Sequence, residues 1–184
     1  MSAARSITTP RLQLIIATAE SARAAADDDR KKFGALLDAE IPSDWPPQFM
    51  EDGMTFVAAG LEQQPQQLYT TWLVVLPKPK RILIGVVGLK SPPVRGRVDL
   101  GYGIVNSHQG HGYATEATKR LIALVFEDSA ARTIVAETMP ELTASMRVLD
   151  KCGFVLCDQD TTGFSGEENV VQYELTRSQF LSKA

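Results

Sequence analysis

The stretch "VDLGYGIVNSHQGHGYATEATKRLIALVF", Val98 to Phe126, constrains this chain more than any other. It opens as a strand-like run, "VDLGYGIV", passes through a polar turn and continues as an uninterrupted helical pattern from about Gly112 to Asp128. The turn from Asn106 to Gly112 carries two glycines, Gly110 and Gly112, and the chain's only two histidines, His108 and His111. A further strand pattern, "TIVAETM", follows the helix. Strand, helix and strand in that order predict a crossover connection, and hence an α/β fold with a mixed sheet.

The flanking sequence fits that frame. "RLQLII" (Arg11 to Ile16) reads as a strand announced by Pro10, and the alanine-rich segment from Ala19 to Ala39 favours helix. Within it, Asp27 to Asp29 marks a solvated face or a break. "IPSDWPP" must be loop, because its prolines cannot propagate a helix. Phe49, Gly53, Phe56, Val57, Gly60 and Leu61 recur at helical spacing, and "EQQPQQ" ends that second helix. "LYTTWLVVL" and "ILIGVVGL" form a hairpin through "PKPKR". "ELTASMRVLDKCGF" is a helix with Leu142, Ser145, Leu149 and Cys152 on one side and Gly153 as its stop. "VLCDQD" and "VVQYEL" close the chain as a hairpin around "TTGFSGEEN". Without repeat, linker or low-complexity tract, residues 1–184 read as one domain.

Composition removes several function classes. With 44% hydrophobic and 22% charged residues the chain has an ordinary globular balance. A net charge of −3 with 19 scattered Lys and Arg gives no nucleic-acid footprint. No stretch reaches the ~18 apolar residues of a membrane span, and the N-terminus lacks the apolar core of a secretion signal. Cys152 and Cys157 are too few for a disulfide framework, and their spacing lacks the His or Cys that would complete a zinc site. Reduced, half-buried thiols and a cytoplasmic location are expected. The sequence neither requires nor forbids a homodimer.

A helix that starts at a glycine turn is suited to anions, because its first N–H groups lack internal acceptors and the dipole adds positive character. Glycines also admit left-handed, nest-like dihedrals. Phosphate or pyrophosphate held by the amides of Gln109 to Ala114 is one reading of the turn; a tight connection in which glycine merely avoids a clash is the other. A P-loop is excluded, since no Lys-Ser or Lys-Thr follows the glycines, and Gly110 and Gly112 do not complete G-x-G-x-x-G. His108 and His111 have no acidic or cysteine cluster to complete a metal site, so no metal is expected, and His111 is placed as a phosphate neighbour.

Gln109, Gly112 and Ala114 meet the pattern Q/R-x-x-G-x-G/A, which resembles the pyrophosphate loop of the GNAT acetyltransferases. "ASMRVLDKCGF" resembles the segment in which that family's next helix ends before Gly-Phe. "TTPRLQL" and "IGVVGL" are similar to the branch containing the Rim-type ribosomal-protein N-terminal acetyltransferases. The likeness runs from about Thr9 to Leu175.

The resemblance implies acetyl-coenzyme A as cosubstrate and no metal. It implies a V-shaped opening between the strand ending at Val105 and the strand around Glu137. Backbone groups of Ile104 and Val105 would hold the acetyl and pantetheine amides, and Gln109, Gly110, His111, Gly112, Tyr113 and Ala114 would grip the pyrophosphate. An attacking amine, with pKa ~8 for an α-amine or ~10.4 for a lysine, must lose a proton. Asp99 or Glu137, or a water held by either, would take it. An N–H at about Val105 would serve the oxyanion. Ser145 matches the family's serine near the thiol, and Tyr173 is a second hydroxyl candidate. The family usually carries Asn three residues before that serine, where this chain has Leu142, and Ile15 stands where an arginine often follows "RLxL". The implied activity is N-acetylation of a primary amine, either a protein N-terminus or a small amine. The alternative is a non-catalytic coenzyme A sensor or scaffold. The substrate-facing parts would be the first two helices, the Trp45 loop and the "TTGFSGEEN" loop with Glu167 and Glu168.

Overall fold

The computed structural model describes residues 6–63, 68–161 and 169–182. Its contacts divide the chain into two compact units, Met1–Gly88 with Tyr102–Ala117, and Leu89–Gly101 with Thr118–Ala184.

The first unit contains strands β1 (Ser6–Thr8), β2 (Gln13–Ile16), β3 (Thr71–Leu76) and all but the last residue of β4 (Ile82–Leu89), with helices α1 (Ala19–Ala26), α2 (Arg30–Leu37) and α3 (Gly53–Gln63). β1 to β4 pair in chain order, each antiparallel to the next. Trp72 to Val75 on β3 and Leu83, Ile84 and Val87 on β4 are fully buried. Strands covered on both faces read as continuous apolar runs rather than alternating ones.

Of the two readings of the aspartate run within the alanine-rich segment, the break holds, and the segment forms two helices. Asp29 caps α2 by accepting from Lys32 N at 2.9 Å, so the aspartate run is a break, with Asp28 at φ 52°. α3 begins at Gly53 rather than Phe49, because Phe49 has φ 64°. Its buried face is Met54, Ala58 and Leu61, whereas Phe56 is 76% exposed. Of the basic residues in the β3–β4 hairpin, Arg81 donates to Gln13 Oε1 at 2.8 Å and to the Asp38 carbonyl at 2.7 Å, tying the sheet to the end of α2. Lys80 pairs with Glu40.

Strand β5 (Arg97–Ile104) and helix α4 (Tyr113–Val125) run from one unit into the other. The second unit adds β6 (Thr133–Thr138), α5 (Thr143–Cys152), β7 (Val155–Thr161), β8 (Val170–Thr176) and α6 (Arg177–Leu181). β5 and β6 are parallel, with Arg97 opposite Thr133 through Leu100 opposite Ala136. This pair is the crossover that the sequence predicted. β8 is antiparallel to both β6 and β7. The described residues therefore form a mixed α/β fold of eight strands, mostly antiparallel, and six α-helices.

α5 stops at Gly153, which takes φ 91°, and Phe154 N–H then donates to the Leu149 carbonyl at 3.1 Å. The sequence reading missed β1 and α6. α6 is seated by Arg177, whose Nε donates to the Ala131 carbonyl at 3.1 Å and whose guanidinium lies 5.2 Å from the Phe126 ring centre. Cys157 is exposed rather than half-buried. Cys152 is intermediate, and burial pushes its thiol up to about 12. No helix among the described residues is long and apolar enough to cross a membrane. Most of "TTGFSGEEN", with Glu167 and Glu168, and the end of "EQQPQQ" lie outside the described residues.

Candidate functional site

The glycine turn sits where β5 leaves its ladder. Val105 N–H donates to the Ile84 carbonyl at 2.9 Å. That hydrogen is therefore committed to β4, which corrects the expectation of an oxyanion donor at Val105. A 3-10 turn from Asn106 to His108 follows, closed by Gln109 N–H on the Asn106 carbonyl at 3.2 Å. Gly110 at φ 78° and Gly112 at φ 79° are both left-handed, a conformation that costs an L residue about 1–2 kcal/mol. Crowding is not the reason for glycine here. A Cβ at Gly110 would meet nothing within 4 Å, and one at Gly112 would lie 3.6 Å from Arg11 Nη2. Conformation fixes these positions, and the backbone remains open to a ligand. α4 begins at Tyr113, so helix geometry gives Tyr113 and Ala114 N–H no intrahelical acceptor. Open glycine backbone and a helix start together fit an anionic pyrophosphate.

Side chains brace this turn from behind. Gln109 Nε2 donates to the Ile104 carbonyl and to Asn106 Oδ1, both at 3.0 Å, so this motif residue ties the turn to the strand end. Arg11 reaches over from the β1–β2 connection. Its Nη1 donates to the His111 carbonyl at 3.0 Å, its Nε lies 2.6 Å from Glu116 Oε2, and its guanidinium sits 4.8 Å from the Tyr113 ring centre. His111 stacks on Tyr113 at 5.5 Å, with Nδ1 at 2.7 Å from the Gln109 carbonyl. Glu116 also accepts from Thr9 Oγ1 at 2.5 Å and from Arg11 N at 2.9 Å. Burial alone would raise the Glu116 carboxyl, but the bonds from Thr9 and Arg11 outweigh it and hold it below the ordinary range. Arg11, Thr9 and Glu116 were not singled out from sequence. The only signal for Thr9 and Arg11 was their place in "TTPRLQL", and Glu116 had none beyond its place in the helical pattern.

The loop containing Trp45 is fastened to the same turn. Asp44 accepts from Ser107 N at 2.8 Å and from Ser107 Oγ at 3.2 Å. The Ser107 backbone bond is the main reason its carboxyl lies below the usual value. His108 Nδ1 is 2.9 Å from Ser107 Oγ. Among the described residues no group of three or more His, Cys, Asp or Glu is arranged to hold a metal.

The other candidates lie in the second unit. Asp99 on β5 stands opposite Val135 on β6, 3.5 Å from Arg97 Nε. Burial raises its carboxyl against the pull of Arg97, and the Glu137 charge adds to the rise. Glu137 accepts from Gln172 Nε2 at 3.0 Å across the β6–β8 pair. Strand alternation puts Asp99, Val135 and Glu137 on one face of this sheet segment. Tyr173 stands opposite Ala136 and so points to the other face, 5% exposed. Its phenol is raised by burial and then by the Asp150 charge. The structure thus brings the two carboxylates together and sets Tyr173 apart from them. Leu142 is the N-cap of α5 and makes no side-chain cap bond, and half-buried Ser145 donates its N–H to the Leu142 carbonyl at 2.8 Å.

Residues 16–155 match the family model described as the acetyltransferase (GNAT) domain. The uncharacterized N-acetyltransferase YjdG of Bacillus subtilis (strain 168) is 26% identical over 121 residues, covering 65% of this chain and 72% of that protein. Among solved structures, RimL, the ribosomal L7/L12 α-N-protein acetyltransferase in complex with coenzyme A, superposes with a TM-score of 0.67 at 19% identity over 94% of this chain and 98% of that one. A spermidine N-acetyltransferase SpeG chimera from Vibrio cholerae and hSSAT has a TM-score of 0.67 at 16% identity, covering 93% and 98%. At these identities the two solved structures share the fold.

Proposed function

This chain belongs to the acetyltransferase (GNAT) domain family, and we propose that it is an acetyl-coenzyme A-dependent N-acetyltransferase acting on a primary amine, with residues 1–184 forming one such domain. The observation that carries the reading is the turn after β5, with left-handed Gly110 and Gly112 opening α4. The cosubstrate supplies an acetyl thioester. The amine nitrogen bonds to the acyl carbon as the C–S bond breaks, one proton leaves the nitrogen and the departing thiolate gains one.

The backbone at Ile104 positions the acyl arm, while the Gly110, Gly112, Tyr113 and Ala114 backbone holds the pyrophosphate, with Gln109 bracing the turn and His111 beside it. Asp99 or Glu137 takes the amine proton, directly or through water. The raised carboxyl of Asp99 suits a base that works near neutrality. Ser145 protonates the thiolate, with Tyr173, kept as a neutral phenol, as the second hydroxyl. The acceptor is a protein N-terminus, as the name of RimL indicates for that enzyme, or a small amine, as that of SpeG indicates for spermidine. The two thiols without a disulfide framework favour the cytoplasm.

A second reading, a non-catalytic coenzyme A sensor, is favoured by one observation: the N-cap of α5 is Leu142, with no side-chain hydrogen bond to offer. The test of both is a calorimetric titration with acetyl-coenzyme A, with NAD and ATP as controls, followed by thiol release on adding amines. Selective binding with release supports the enzyme. Binding without release supports the sensor, and no binding overturns both.

A further inference from the structure

Within the first unit, a cavity of about 50 Å³ lies between the Trp45 loop, α3 and the sheet. Trp45, Pro47, Met50, Met54 and Val57 wall it, and Thr71 is the single hydroxyl-bearing residue of its lining. No charged residue of the described chain lines it.

The cavity wall leans on the strand proposed to carry the acyl arm. A Cβ placed on Gly103 would lie 2.6 Å from Met50 Sδ and 2.9 Å from Pro47 Cβ, so these two side chains occupy the space beside the residue preceding Ile104. The wall is also pre-formed. Arg30 donates to the carbonyls of Pro42 at 3.0 Å and Trp45 at 2.9 Å. The Trp45 ring packs 5.6 Å from that of Phe33, and Asp44 is fastened to Ser107.

An ammonium group buried here would find no carboxylate, and unpaired burial of a charge is heavily disfavoured. An apolar group entering the same space gains about 25 cal/mol per Å² removed from water. Glu51 and Asp52, between the lining residues Met50 and Gly53 in sequence, are exposed and are not part of the lining.

Resting on the acetyl-transfer reading above, we propose that this cavity is the acceptor subsite. It selects a primary amine carrying a small uncharged apolar group, over polyamines and aminoglycosides. The amine end stays at β5 while the apolar group fills the space between Trp45 and Val57. Peptide N-termini and small arylalkyl amines share this chemistry, and the arms of the test separate them.

Thiol release from acetyl-coenzyme A is measured on the full chain with phenethylamine, a peptide with N-terminal leucine, and spermidine. Separately, Trp45 fluorescence is titrated with phenethylamine and with spermidine in the absence of coenzyme, with Trp45→Phe as the signal control. The expected result is a Trp45 response to phenethylamine only, and kcat/KM at least tenfold higher for one of the two apolar amines than for spermidine. Which of the two is preferred identifies the source of the amine. Val57→Trp, which fills the cavity, raises KM for that amine at least tenfold with coenzyme Kd unchanged. Val57→Met does the same to a smaller degree if the larger variant does not fold. Spermidine turned over as well as the apolar amines, or an apolar-amine KM indifferent to Val57, overturns the subsite. Turnover without a Trp45 response also overturns it. A Trp45 response with no turnover of any amine sinks acetyl transfer and leaves the cavity's apolar selectivity standing.

Discussion

Arg11 Nε lies 2.6 Å from Glu116 Oε2, an ion pair that closes 105 residues of chain. Its partners make it more than a surface contact. Glu116 also receives Thr9 Oγ1 and Arg11 N, and Arg11 also binds the His111 carbonyl. The pair therefore fastens the β1–β2 connection to the first turn of α4, directly behind the glycines. A carboxylate in that first turn also complements the helix dipole.

Glu116→Gln is expected to lower stability at neutral pH by about 1 kcal/mol, a figure held down by the half-exposure of Arg11. The sign with pH follows from the depressed carboxyl. Its contribution is fully present above the ordinary value of 4.5 and is lost as pH falls through the lower folded value. Denaturant melts of wild type and variant at pH 7 and in steps below pH 4.5 should show the gap closing. A gap independent of pH would mean that the ion pair contributes nothing.

Gly112→Asp is expected to abolish coenzyme binding, because it puts a side chain at φ 79° and a negative charge at the phosphate turn. Gly112→Ala, with the conformational cost but no charge, should bind more weakly than wild type and better than the aspartate variant. Calorimetry on folded protein decides. Unchanged affinity in the aspartate variant removes the site assignment.

Ser145→Ala should lower kcat by about 10²-fold, the usual contribution of one general acid, while coenzyme Kd changes little. Equal losses in turnover and affinity would make Ser145 a coenzyme contact instead. Steady-state kinetics beside a binding isotherm distinguishes the two.

Gly85→Ala is expected to destabilise the protein by at least about 2 kcal/mol and lower Tm by roughly 4–8 °C. The added Cβ would stand 2.2 Å from the Gly103 carbonyl oxygen and 3.0 Å from Ile104 Cα, which are backbone atoms that cannot step aside. The forced shift falls on the β5 residues before the turn, so coenzyme affinity should drop as well. A melt indistinguishable from wild type would refute the close approach.

The sequence by itself determined β4, β5, the glycine turn, α4, the parallel β6 and the stop of α5 at Gly153. Those features depend on short-range causes: apolar period, the left-handed freedom of glycine and the end of a helical pattern. It also carried the family. Where two short-range readings competed, the local signal could not choose. The alanine-rich segment became two helices because Asp29 turned its side chain onto Lys32 N, and α3 presented Met54 rather than Phe56 because packing selects the face. Only the tertiary structure decided that Gln109 braces the turn, that the Val105 N–H belongs to β4, and that Tyr173 points away from Asp99 and Glu137. It alone joined Arg11 to Glu116 and Asp44 to Ser107. Register and long-range packing set which side chains meet, and these arise from the whole chain's burial rather than from any window of it.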